Sequence, residues 1–114
     1  PLTPETKFVI KKDSIENMRD GVVVINAGRG NLINDKDLLI ALNSEKVSHA
    51  TLDVFAQEPL PSDHGYWSHK NVTVSPHIAA VTRPKTAAES IATNIKLILD
   101  GSEPPGLVKR SHFY

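Results

Sequence analysis

The chain contains no cysteine, carries no excess charge of either sign and has few aromatic side chains. Without cysteine, disulfide frameworks, thiolate nucleophiles and Cys-based zinc sites are excluded, and the absence fits a reducing, cytoplasmic compartment. Thirteen Lys and Arg balance 13 Asp and Glu, so the clustered basic footprint of a general nucleic-acid binder is missing. Apolar runs such as residues 22–25 fall far short of the roughly 20 residues that span a bilayer, which excludes a membrane anchor. The sequence opens at Pro1 without an initiator methionine or a charged-then-apolar leader. The expectation is therefore a segment of a longer protein, with no signal peptide.

What remains is ordinary globular material. At 114 residues, 39% hydrophobic and 23% charged, the chain is sized for one modest domain. Asp13 and Glu16, three apart, fit a capping arrangement for a short helix to about Met18, which Asp20-Gly21 then ends. Residues 22–25 are a β-branched run without polar alternation, the pattern of a parallel strand covered on both faces. Asn34 is placed to cap a helix over 35–43 with Leu38, Leu39 and Leu42 on one face. Residues 50–55 and 71–75 read as two further strands separated by a Pro-rich loop.

Pro84 fits the first turn of a last helix that Gly101 ends. Its stripe of Ala88, Ile91, Ala92, Ile95 and Ile98 is expected to pack against a large surface. Strand, helix, strand, loop, strand, helix is the alternation of an α/β fold with a parallel sheet. Three strands with few covering helices make an incomplete sheet.

The residues capable of chemistry fall at the carboxyl ends of the expected strands, where ligands bind in open α/β sheets. Asn26-Ala-Gly28-Arg29-Gly30 follows the first strand. It holds neither GxxxxGK[ST] nor a complete GxGxxG, so it is not a phosphate loop. Two readings stand for Arg29: a surface arginine on a turn, or a guanidinium gripping a substrate carboxylate through two parallel hydrogen bonds. Asp53 lies near the end of the second strand with Glu58 five residues further on, and His77 follows the third. Each alone is an ordinary loop residue, but together they converge on one sheet edge. A histidine beside a carboxylate suits proton donation near neutral pH, and an arginine nearby points to reduction of a 2-oxo acid. His49, His64, His69 and His112 lack the HxxxH or HExxH spacing of a helical metal site, so no metal is expected. Trp67 is expected to be a packing anchor.

Four ordered segments carry a resemblance across the whole chain. They are Pro1-Leu-Thr-Pro-Glu-Thr6, Val24-Ile-Asn-Ala-Gly-Arg-Gly30, Leu52-Asp-Val-Phe55 with Glu58-Pro59, and Ser75-Pro-His-Ile-Ala79. They resemble the D-isomer-specific 2-hydroxyacid dehydrogenases, and the continuation from His77 to Pro84 resembles the glyoxylate/hydroxypyruvate reductase branch. The resemblance implies the second half of a Rossmann-type, doubly wound parallel sheet, incomplete, with a long C-terminal helix. Residues 1–82 would be the C-terminal half of an NAD(P)-binding domain, and 83–114 a crossover helix and tail toward a substrate domain.

By the same resemblance Arg29 binds the substrate carboxylate, His77 is the general acid/base and Glu58 orients it. Asp53 contacts the nicotinamide carboxamide, Ala27 and Ala79 lie near the ring, and Thr3 and Arg29 belong to the cofactor site. The implied substrate is a small 2-oxo acid, the cofactor NAD(P)H and the assembly a homodimer. The dinucleotide fingerprint GxGxxG is absent, so NAD and NADP are not distinguished and these residues alone are expected to be inactive. A second reading, of another class, is a non-catalytic cofactor-sensing module like the family's transcriptional corepressors.

Overall fold

The computed structural model describes residues 1–111; His112 lies outside the described residues. Two compact units divide the chain, Pro1–Ala80 and Val81–Tyr114. The first holds helix α1 (Lys12–Glu16), strand β1 (Val22–Asn26), a 3₁₀ turn (Gly30–Leu32), helix α2 (Asp35–Asn43) and strands β2 (Val47–Leu52) and β3 (Val72–Val74). All pairing is parallel in the order β1-β2-β3, with Val24 opposite Ala50 and Leu52 opposite Val74. The expected α/β class and parallel sheet are therefore present.

Helix α2 runs over the expected residues, and its cap is the expected one: Asn34 Oδ1 accepts the Asp37 N–H at 3.2 Å. It lays Leu38 and Leu42 onto the sheet, where they join Ile15, Val24, Ile33, Val47, Leu52 and Tyr66 in the core. Tyr66 is 1% exposed, and its hydroxyl donates to Asp35 Oδ1 at 3.0 Å. That bond ties the long loop after β2 to the first turn of α2. Burial, followed by the nearby Asp35 carboxylate, pushes the Tyr66 phenol well above its ordinary range.

Several local expectations are corrected. Helix α1 is capped from Lys11, whose N–H donates to Ser14 Oγ at 2.9 Å, while Asp13 lies within the first turn. Strand β2 starts three residues earlier than expected and leaves the ladder after Leu52, because Val47 already pairs with Val22. Only one face of β1 is covered: Val24 is buried, whereas Val23 and Ile25 are 53% and 73% exposed. Trp67 is not a core anchor. It is exposed with its indole N–H donating to the Pro61 carbonyl at 2.8 Å, and Tyr66 takes the interior position.

In the second unit, helix α3 (Pro84–Leu99) begins with proline at the position where its missing N–H costs least. Gly101, at φ +76°, ends it: the Ser102 N–H reaches the Leu97 carbonyl and the Gly101 N–H that of Ile98. This is a Schellman closure, which needs a residue tolerant of the left-handed region. The apolar stripe expected to be packed is instead open, and no residue of α3 is buried. Among the described residues, no helix is long and apolar enough to cross a membrane.

Candidate active site

The carboxyl ends of the three parallel strands deliver three loops to one edge of the sheet. At the end of β1, buried Asn26 folds the loop that follows. Its Oδ1 accepts the Gly28 N–H and its Nδ2 donates to the Arg29 carbonyl, both at 3.0 Å. An asparagine side chain can bond backbone groups two or three residues on, and so presents Arg29 in a fixed turn. The guanidinium is exposed, with Nη1 donating to the Gly28 carbonyl at 2.7 Å. Gly30 then passes so close to the next loop that a Cβ would lie 1.9 Å from the Phe55 carbonyl carbon.

That next loop carries Glu58, whose Oε1 accepts the Phe55 N–H at 2.9 Å and whose Oε2 lies 2.8 Å from His77 Nδ1. Hydrogen bonding to His77, followed by the Phe55 N–H, holds the Glu58 carboxyl below its usual range. An ionised carboxylate only accepts, so Nδ1 carries the shared proton and Nε2 is the ring atom left to exchange one. His77 itself stands at φ +54°, a left-handed conformation uncommon outside glycine. Its loop is fastened to Asp53, which is 4% exposed and accepts bonds from Ser75 Oγ, Ile78 N–H and Ala79 N–H. The Ser75 hydroxyl, then the Ala79 amide, holds the Asp53 carboxyl below the ordinary aspartate range.

Glu58 and His77 border a cavity of about 610 Å³ whose walls include Phe55, Leu60, Trp67 and Val74. Arg29 borders a separate one of about 410 Å³ with Pro1, Leu2, Gly28 and Leu32. Glu58, His77 and Asp53 thus form one cluster. Arg29 lies on the adjoining loop, and among the described residues it makes no direct bond to any of the three. Thr3 is buried in the Pro1–Thr6 segment, with its hydroxyl 3.2 Å from Thr6 Oγ1. Ala27 and Ala79 are exposed at the strand ends. Sequence reasoning gave no role to Asn26 or Ser75. The signal for Asn26 was available, since asparagine two residues before a glycine is turn chemistry.

A parallel sheet with a carboxylate-held histidine and an arginine at its carboxyl edge has these side chains where open α/β sheets bind their ligands. The chain belongs to the D-isomer specific 2-hydroxyacid dehydrogenase family, whose NAD binding domain matches residues 1–79. It is 45% identical over 108 residues to glyoxylate/hydroxypyruvate reductase A of Yersinia enterocolitica, covering 95% of this chain and 34% of that protein. The protein of the same name from Citrobacter koseri is 44% identical over all 114 residues, 36% of its length. The chain therefore spans about a third of the curated relatives it matches.

Among solved structures, a D-isomer specific 2-hydroxyacid dehydrogenase from Xanthobacter autotrophicus, in complex with NADPH and MES, superposes with a TM-score of 0.96. It is 38% identical, and the match covers 100% of this chain and 47% of that one. An NADPH-dependent glyoxylate/hydroxypyruvate reductase from Sinorhizobium meliloti, in complex with NADP and sulfate, gives a TM-score of 0.88 at 32% identity. There the match covers 100% of this chain and 38% of that one.

Proposed function

We propose that this chain supplies the acid/base pair and the nicotinamide-facing edge of an NAD(P)-dependent reductase of small 2-oxo acids. Glyoxylate and hydroxypyruvate are the substrates, reduced to glycolate and glycerate. The observation that carries the reading is the 2.8 Å contact between Glu58 Oε2 and His77 Nδ1 at the sheet's carboxyl edge. A neutral or cationic imidazole held this way keeps one tautomer and presents Nε2 for proton exchange.

The residues present fit the nicotinamide end of such a cofactor. Ala27, Gly28 and Ala79 offer at most a methyl group and are exposed, so a flat ring can approach the backbone closely. Asp53 and the Thr3 segment complete that edge. When bound, the reduced nicotinamide supplies the hydride that the carbonyl carbon accepts. Arg29 grips the substrate carboxylate with two N–H donors and polarises the carbonyl. His77 Nε2 gives its proton to the carbonyl oxygen, and in the reverse direction takes it back. Glu58 stays ionised throughout and stabilises the imidazolium.

In this reading residues 1–82 are half of a cofactor domain and residues 83–114 a crossover helix and tail. The whole enzyme is a cytoplasmic homodimer, and the 114 residues by themselves are inactive because they hold no GxGxxG loop. The test is a chimera in which this chain replaces the matching third of the Yersinia relative. In it, Arg29→Ala is expected to lower kcat/KM at least about a hundredfold, the scale of losing a charge-assisted bidentate contact in the transition state. Unchanged kcat/KM in Arg29→Ala would remove the arginine from the mechanism.

A further inference from the structure

The Asp53 carboxylate is the most heavily engaged acceptor at the site. Its Oδ1 takes the Ser75 hydroxyl at 2.5 Å and the Ile78 N–H at 2.9 Å, and its Oδ2 takes the Ala79 N–H at 2.9 Å. The three donors bracket His77, two residues before it and one and two after. A non-glycine residue at φ +54° is held there only where its surroundings fix the backbone on both sides. The bracket is that fixture. Three of roughly four acceptor positions on the carboxylate go to the protein itself. The group also sits one residue beyond β2, with its own N–H donating to the Asn26 carbonyl of β1 at 2.9 Å, rather than on the loop it restrains.

We propose that Asp53 is a positioning residue for His77: by binding Ser75, Ile78 and Ala79 it holds the loop in the one conformation that lets Nδ1 reach Glu58. This rests on the reading of His77 as proton donor, and it gives Asp53 a task separate from any contact with the cofactor. Asn is close to Asp in size, yet its NH₂ must face one of the donors that the carboxylate accepts from. Replacement therefore sets donor against donor and releases one side of the bracket.

The experiment is proton NMR on the 114-residue chain. It reads the His77 Nδ1–H resonance, identified by its loss in His77→Gln, together with amide exchange at Ile78 and Ala79. In Asp53→Asn the resonance is expected to vanish. The two amides are expected to exchange about tenfold or more faster, the scale of a lost bond to a charged acceptor, with the α2 amides unchanged. Ser75→Ala is expected to weaken the resonance, and Ser75→Thr, which keeps the hydroxyl, to restore it.

A wild-type resonance in folded Asp53→Asn overturns the inference, including the case in which only NAD(P)H affinity falls. If Asp53→Asn does not fold, the Ser75 pair decides: a resonance indifferent to Ser75→Ala overturns it. Failure of the reductase reading is recognised separately, as turnover of the chimera with the Yersinia relative that survives His77→Gln whatever the spectra show.

Discussion

An alanine at position 30 would place its Cβ 1.9 Å from the Phe55 carbonyl carbon and 2.3 Å from the Ala56 nitrogen, both backbone atoms that cannot swing aside. The missing side chain is what allows the Arg29 loop to lie against the loop carrying Glu58. Gly30→Ala is expected to destabilise the fold by about 1 to 3 kcal/mol, the cost of overpacking, as read by urea unfolding. The same change is expected to displace Arg29 relative to His77. Acid sensitivity is a second property of single residues. The carboxyls of Asp53 and Glu58 are both lowered in the folded state, so their stabilisation is complete above the unfolded values near about pH 4. It is lost as pH falls through the folded ones. Stability is expected to drop on acidification below about pH 4, and Asp53→Asn and Glu58→Gln are expected to flatten that drop in pH-dependent urea melts.

Among the elements, α2 is the one the fold leans on, because it connects α1 to the sheet and anchors Tyr66 through Asp35. Leu38 is fully buried, so Leu38→Ala is expected to cost about 2 to 5 kcal/mol and Asn34→Ala about 1 kcal/mol. Urea denaturation with unchanged m-value checks both. This helix was also the most legible element in the sequence, since its cap and its leucine spacing are local signals. The end of β2 was less legible. Its β-branched and aromatic residues continue to Phe55, but pairing with β1 sets where the ladder runs, and that is a tertiary fact. The exposure of Val23 and Ile25 was likewise hidden, because a β-branched run states that a strand exists and not which faces are covered. At the site, the ends of the strands told that His77 and Glu58 would lie on one edge, with Arg29 on the loop beside them. The left-handed backbone of His77 and the use of Asp53 as a latch depend on contacts across 22 to 26 residues of sequence, which spacing does not encode.

At the scale of the whole molecule, a three-stranded parallel sheet brings Glu58 and His77 together on its carboxyl edge, with Arg29 on the loop beside them. Ile25 on β1 and Ile91, Ile95 and Ile98 on α3 stand more than half exposed. The curated relatives are about three times as long as the chain, and we assign to this third the proton transfer and the carboxylate grip. The most direct test of that assignment is steady-state kinetics of the chimera with the Yersinia relative, comparing His77 with His77→Gln. NAD(P)H is expected to be consumed with glyoxylate or hydroxypyruvate. His77→Gln is expected to lower kcat by about 10²- to 10⁴-fold, the usual contribution of a general acid, with NAD(P)H affinity unchanged. A folded, cofactor-binding chimera whose His77→Gln form turns over at the unsubstituted rate would contradict it.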